Sequence, residues 1–198
     1  RVGKTRVEVL RVEDIPCQSH PVPDNASSNG CCWPLAFSLS IPEEWTSGYY
    51  EFTMEISDEG RPYERRCRRT AQATGYFVLR PNAFQPRANM LIALSTNTYA
   101  AYNNWGGFSL YAYHGRGGVQ GNRVSFQRPD RGLFSRWEAP FVQWIEENGY
   151  ALDYCTNLDL EHHPDLLDQY PLLLSVGHDE YWSAPMRGRV EAFIGRGG

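Results

Sequence analysis

No run in this 198-residue chain approaches transmembrane length. The stretch from Arg1 to Glu13 alternates polar and apolar residues, unlike a secretory h-region. Basic residues are not in excess: 19 Lys and Arg stand against 23 Asp and Glu, which removes the electrostatic footprint of a nucleic-acid binder. Cys31 and Cys32 are adjacent, and no Cys-x-x-Cys pair occurs, so a zinc-knuckle pattern is missing. No Gly-x-Ser-x-Gly elbow is present and Ser175 falls inside a predicted strand, which argues against a serine hydrolase. Arg116-Gly117-Gly118 lacks the Gly-Lys-Ser/Thr ending of a phosphate loop.

The five cysteines, Cys17, Cys31, Cys32, Cys67 and Cys155, are odd in number, so at least one is unpaired within the chain. Up to two disulfides could form within residues 17–67 in an oxidising compartment. Asn25-Ala26-Ser27 fits a glycosylation triplet, a short pattern that often arises by chance. A cytoplasmic location is expected, with secretion left open. Arg61, Arg65, Arg66, Arg68 and Arg69 lie beside Glu59 and Glu64 and read as a solvated loop in preference to an anion site. The chain starts at Arg1 and closes on Gly197-Gly198 just after a predicted helix, so it is expected to be part of a longer polypeptide.

What the chain does have is aromatic residues, with 12 Tyr, 9 Phe and 6 Trp. Residues 5–12 alternate and predict a strand. Residues 13–34 carry Pro, Asn, Ser and Gly and predict a long loop. Tyr49–Ile56 and Gly75–Arg80 predict further strands, with a turn at Asp58–Pro62. Residues 1–80 therefore read as a β-rich segment, the end of a β-sandwich. After Pro81 the pattern changes. Met90–Leu94, Tyr150–Cys155 and Leu172–Val176 predict strands. Trp137, Phe141, Trp144 and Ile145 recur at helical spacing, stopped by Gly149. Pro164–Tyr170 predicts a short helix, and Ser183 with Pro185 starts another whose apolar face is Val190, Phe193 and Ile194. Strand and helix alternate as in a doubly wound α/β parallel sheet, so residues 81–198 are expected to form an α/β catalytic domain, truncated at its C-terminus. Residues 103–135, rich in Gly and Arg, are expected to cross the strand ends as a long loop.

Two strand ends gather the chemistry. Gly177-His178-Asp179-Glu180-Tyr181-Trp182 follows Leu172–Val176, and Asn97-Thr98-Tyr99-Ala100-Ala101-Tyr102-Asn103-Asn104-Trp105-Gly106-Gly107 follows Met90–Leu94. Acids and a histidine are costly to crowd together unless something binds them. Glu180 is either an acid leading into a helix and bonded to backbone, or a metal ligand or general base. On an extended backbone His178 and Glu180 share a direction while Asp179 points the other way, so His178 could orient Glu180. Tyr99 and Tyr102 share a side only if their segment is helical. A phenolate is a hard ligand suited to ferric iron, and with an ordinary pKa of about 10 it needs a strong Lewis acid to ionise at neutral pH. Asn103 and Asn104 could bind a carbonyl or amide. His162-His163 are expected at a helix start in solvent. Asn157 and Asp159 either face the cleft or cap the short helix, Asp159 being the better placed to cap.

These blocks, with Trp45-Thr46-Ser47-Gly48-Tyr49-Tyr50, Ser109-Leu110-Tyr111, Asp153-Tyr154 and Thr156-Asn157-Leu158-Asp159, resemble the large (beta) subunit of N,N-dimethylformamidase and its bacterial relatives, over roughly residues 40–198. The resemblance implies a glutamine-amidotransferase-like α/β domain preceded by β-rich domains, and one mononuclear ferric non-haem iron held by two tyrosines and a glutamate. It also implies hydrolysis of a small linear amide to a carboxylic acid and an amine, and a small helical partner subunit within an oligomer. Carried over by motif, the metal ligands are Tyr50 (over its neighbour Tyr49), Tyr102 (over Tyr99) and Glu180. His178, Asp179, Glu180 and Asn103 are the implied catalytic residues, His178 lying beside the metal. Ferric iron would polarise an amide carbonyl and acidify a bound water. Two other readings stand beside this one. The fold could serve as a non-catalytic structural or carbohydrate-associated module, or a zinc or manganese hydrolase could use His178, Asp179 and Glu180.

Overall fold

The computed structural model describes residues 1–57, 70–81 and 88–198. The expected turn at 58–62, the arginine cluster at 61–69 and Cys67 lie outside the described residues. Cys17, Cys31, Cys32 and Cys155 are free thiols.

The chain is an α/β fold with a small antiparallel sheet followed by a parallel three-stranded one. Strands β1 (Gly48–Ser57) and β2 (Thr70–Leu79) pair in register from Gly48↔Leu79 to Ser57↔Thr70. Period-two alternation sends Tyr49 and Tyr50 to opposite faces. Tyr49 stacks on Phe134 with ring centroids 4.0 Å apart, and Tyr50 stacks on Trp45 at 4.9 Å and Phe77 at 5.1 Å. The predicted strand at 5–12 does not form. That segment is exposed, held by the isolated bridges Val2↔Arg6 and Val2↔Tyr49 and by an Arg6–Glu51 ion pair. Its alternation has no second face to pack against, so it supplies no burial to offset the ordering cost. The predicted loop at 13–34 is irregular except for one turn of helix, α1 (Ala26–Asn29).

Strands β3 (Met90–Leu94), β4 (Asp153–Thr156) and β5 (Leu172–Ser175) form the parallel sheet in the order β4-β3-β5. β3 is apolar on both sides because both sides are covered. Ile92 and Leu94 enter a core with Tyr49, Tyr99, Phe134, Tyr154 and the buried face, Val142 and Ile145, of α3 (Ala139–Glu147). Leu91 and Ala93 enter a second core with Leu160 of α4 (Asn157–His162), Leu166 and Leu167 of a 3₁₀ turn (Leu166–Gln169), and Met186 and Phe193 of α5 (Ala184–Gly195). Each such aliphatic side chain contributes about 1.5–3 kcal/mol by burial. Ser47 ties the hairpin to the sheet: its Oγ accepts from Tyr154 N at 2.8 Å and donates to Leu79 O at 2.9 Å.

Several local expectations shift. Trp144 and Trp137 are exposed, and the buried stripe of α3 is Val142 and Ile145. Ile194 is exposed, while Met186 joins Phe193 inside. Ser183 caps α5 through Met186 N at 3.3 Å, with Pro185 in the first turn, as the sequence predicts. The cap before the 3₁₀ turn is different. Thr156 is the N-cap of α4, and Asp159 closes its capping box by accepting from Thr156 N at 2.9 Å. His162 and His163 consequently end a helix instead of starting one.

Candidate functional site

β3 runs directly into α2 (Thr96–Tyr102), so the segment that the sequence placed at a strand end, with helical geometry left open, is a helix. One helical turn carries the chain from Tyr99 to Tyr102. Tyr99 is buried, and its hydroxyl donates to Glu138. Tyr102 ends the helix at the crevice beyond the carboxyl ends of the strands, where parallel sheets place their chemistry.

The loop after α2 is tied back onto it by Arg128. This guanidinium is buried and donates to five carbonyls: Ala100 O (3.0 Å) and Asn103 O (2.9 Å) at the helix end, Trp105 O (2.7 Å), Phe108 O (3.2 Å) and Ser125 O (2.9 Å). It satisfies carbonyls that a helix terminus leaves unpaired and sits at the negative end of the dipole. Gly106 adopts φ +85 with Ser27 N 2.8 Å from where a Cβ would stand, so the loop packs on α1 only through glycine. Leu110 N donates to Ala101 O at 3.0 Å. Fully buried Ser109 accepts from Tyr111 N (3.1 Å) and donates to Tyr111 O (3.2 Å). Tyr111 is thereby fixed beside Tyr102, with ring centroids 4.2 Å apart and planes inclined by 32°.

The third wall is the loop after β5. Gly177 has φ +81, and an added Cβ would stand 2.6 Å from Trp137 Cβ, so only glycine fits the turn. The Glu180 N–H donates to Thr98 Oγ1 at 2.9 Å, and Asn97 Nδ2 donates to Tyr181 O at 3.1 Å. The first turn of α2 thus holds the loop that carries the acid.

These elements converge on one atom, Glu180 Oε2. Tyr111 Oη donates to it at 2.5 Å and Tyr102 Oη at 3.2 Å, and His178 Nε2 lies 3.0 Å away. Tyr102 Oη is also 3.1 Å from His178 Nε2, and Tyr181 Oη donates to Tyr111 Oη at 3.0 Å. The hydrogen bond from Tyr111, against a smaller desolvation effect and reinforced by Tyr102 and His178, holds the Glu180 carboxyl below its usual range. Desolvation first, then hydrogen bonding to Glu180, pushes the Tyr111 phenol well up. Tyr102 is lowered by its bond with Tyr111, but desolvation and Glu180 outweigh this and leave it raised. In this arrangement the phenols are proton donors around a carboxylate.

His178, Glu180 and Tyr102 are therefore brought together. Asp179 is not with them: it turns inward, accepting from Ser175 Oγ at 3.1 Å and Asn157 Nδ2 at 3.5 Å, and burial raises its pKa. Asn103 is spent on the loop, its Nδ2 donating to Pro129 O and its Oδ1 accepting from Trp105 N, both at 2.9 Å. Tyr50 donates to Thr46 O at 2.7 Å and packs its ring beside Trp45 and Phe77. Tyr49 lies in the core under the sheet. The residue taking the place beside Tyr102 is Tyr111. Its sequence signal was the Ser109-Leu110-Tyr111 block, one residue beyond the glycine pair. Nothing in the sequence marks Arg128 or Thr98.

Among the described residues, no three His, Cys, Asp or Glu side chains come together in a way that could hold a metal ion. A cavity of about 510 Å³ opens at the other end of the sheet, lined by Arg1, Ser47, Glu146 and Asp153 and by none of the clustered residues. Its Glu146 is paired with Arg1 at 2.8 Å. No described helix is long and apolar enough to cross a membrane.

The phenols and the histidine thus gather on one carboxylate at the strand ends of the parallel sheet of an α/β protein. Residues 2–198 match the family described as N,N-dimethylformamidase beta subunit-like, C-terminal, and the chain belongs to that family. No curated protein matches it.

Proposed function

We propose that the cluster is a mononuclear ferric site for hydrolysis of a small linear amide, with Tyr102, Tyr111 and Glu180 as the protein ligands, in a sheet of the doubly wound, amidotransferase-like kind. The supporting observation is the meeting of two phenol oxygens on one carboxylate oxygen, at 2.5 and 3.2 Å. Oxygens bound about 2.0–2.2 Å from a common cation stand roughly 3 Å apart, so the spacing suits a shared hard cation. Two phenolates and a carboxylate would carry three negative charges, matching Fe³⁺, and the raised phenol pKa values are what a bound trivalent cation would reverse. The family membership supplies the amide. Tyr111 replaces Tyr50 in this assignment because Tyr50 engages Thr46, Trp45 and Phe77 instead.

When bound, the iron supplies Lewis acidity toward the amide carbonyl. The protein groups do the rest. Amide and water give a carboxylic acid and an amine, so one proton must leave the attacking water and one must reach the departing nitrogen. His178 would carry this transfer, since its Nε2 is within hydrogen-bond reach of both Glu180 and Tyr102. Glu180 and Tyr102 would hold the ring in line, and Trp137, 6.0 Å from it, covers one face.

A second reading has an observation of its own. Without a group of three His, Cys, Asp or Glu among the described residues, the phenol–carboxylate cluster could be a hydrogen-bonded lock in a non-catalytic structural or carbohydrate-associated module. A zinc or manganese site built on His178, Asp179 and Glu180 has only two of its three donors facing one another, since Asp179 bonds to Ser175 and Asn157.

Metal analysis and the visible spectrum of the purified protein test the proposal. The expected result is one iron per chain, a broad phenolate-to-iron band, and release of amine from a panel of N-alkyl amides. A colourless, metal-free protein with the same fold would move the assignment to the lock.

A further inference from the structure

Tyr111 is touched by two groups of opposite character. Glu180 accepts its proton at 2.5 Å, while the Tyr181 hydroxyl donates to its oxygen at 3.0 Å. The Tyr111 and Tyr181 rings cross at 90° with centroids 6.4 Å apart, so Tyr181 reaches Tyr111 with its hydroxyl and does not stack on it. Tyr181 is also held from behind. Its carbonyl accepts from Asn97 Nδ2 at 3.1 Å, and the Asn97 N–H donates to Asn157 Oδ1 at 2.9 Å. The backbone that aims the Tyr181 hydroxyl is thus anchored to α2 and to the start of α4, outside the cluster.

A donor fixed on a phenol oxygen strengthens that phenol as a donor in its turn, here toward Glu180. It gains a second effect when the oxygen is a charged ligand. A hydrogen bond to a phenolate withdraws electron density from the lone pairs that would enter the metal, and partners of this kind orient and tune ligands. We propose that Tyr181 is a positioning residue that fixes and electronically tunes Tyr111 as a ligand, a role carried by its hydroxyl alone. This rests on the ferric reading of the site.

Tyr181→Phe keeps the ring and deletes the donor. In the purified full chain titrated with ferric citrate, the variant's phenolate-to-iron band is expected at longer wavelength than the wild type's, because the unbonded phenolate holds its electrons less tightly. Iron affinity is expected to fall about 10- to 100-fold, because the loss of the bond that orients the Tyr111 oxygen and favours its ionised form outweighs the gain in electron density. A second readout is vibrational. Transfer of the wild-type loaded protein to deuterated solvent is expected to shift a phenolate vibration in the resonance Raman spectrum, and Tyr181→Phe is expected to reduce that shift while both ligand phenols remain. An iron-loaded wild type whose band and affinity are unchanged in Tyr181→Phe overturns the tuning role and leaves the site standing. A wild type that takes up no iron overturns both.

Discussion

The backbone N–H of Glu180 donates to Thr98 Oγ1, 2.9 Å away, across 82 residues of sequence. Thr98 is fully buried in the first turn of α2, so the helix that presents Tyr102 also fixes the backbone of the acid Tyr102 must meet. Thr98→Val is nearly isosteric and leaves that N–H without its partner. A loss of about 1–3 kcal/mol is expected, with Thr98→Ser restoring most of it. Chemical denaturation of the three proteins measures this; equal midpoints for Val and Ser would remove the hydroxyl from the account.

Arg128 is the corresponding tie for the other wall. It gathers five carbonyls from α2 and the loop that holds Tyr111. Arg128→Met would leave those acceptors to find water in a buried place, and a cost of at least about 3 kcal/mol is expected. Lysine offers a point charge where a planar fork is needed, so Arg128→Lys should recover only part. Limited proteolysis is expected to cut both variants between residues 103 and 127 faster than wild type. A wild-type digestion pattern in Arg128→Met would show that the loop is held by something else.

How far the sequence carried the reading depends on where each residue gets its information. β3 was legible because all its side chains are apolar, and the structure buries both faces. The cap of α5 was legible because Ser183 and Pro185 act locally. α2 was not: Tyr99, Ala100, Ala101 and Tyr102 are compatible with a strand end or a helix, and tertiary packing made the choice. His178 and Glu180 could be paired from strand geometry, since residues two apart share a direction. Tyr111 could not be placed, because its position depends on a long loop folded around Arg128, and no periodicity records that.

Glu138 offers a test of the buried network under the site. It is fully buried. One carboxylate oxygen takes the Tyr99 hydroxyl, and among the described residues neither the other oxygen nor Ser95 Oγ has a hydrogen-bond partner within ordinary geometry. Burial, partly opposed by the Tyr99 bond, raises its pKa. A carboxyl raised in the folded state binds more protons there than in the unfolded chain, so stability falls as pH rises above its ordinary value of about 4.3 toward the folded value. Glu138→Gln keeps an acceptor for Tyr99 and removes the ionisable group from the buried place. The variant is expected to equal or exceed the wild type's stability at neutral pH, and to show a flatter profile from about pH 4 upward. Thermal unfolding across pH reads this directly; a wild-type profile already flat there would contradict a buried, proton-holding Glu138.

Tyr50 and Tyr111 decide between two ligand sets, one given by the resemblance of motifs and one by geometry. Tyr50 spends its hydroxyl on Thr46 O and its ring on Trp45 and Phe77 in the hairpin, while Tyr111 touches Tyr102, Tyr181 and Glu180. Tyr50→Phe is therefore expected to cost about 1 kcal/mol of stability for its one hydrogen bond and to leave iron content and colour intact. Tyr111→Phe and Tyr102→Phe should each remove a phenolate, lowering iron content and weakening the visible band. If Tyr50→Phe bleaches the protein and Tyr111→Phe does not, the hairpin must close over the strand ends when iron binds, and the ligand set is Tyr50, Tyr102 and Glu180. If all three keep the wild-type iron content and band intensity, none of these three phenols is a ligand. Measuring the three side by side under identical iron loading distinguishes these outcomes, because each substitution deletes one hydroxyl and keeps its aromatic ring.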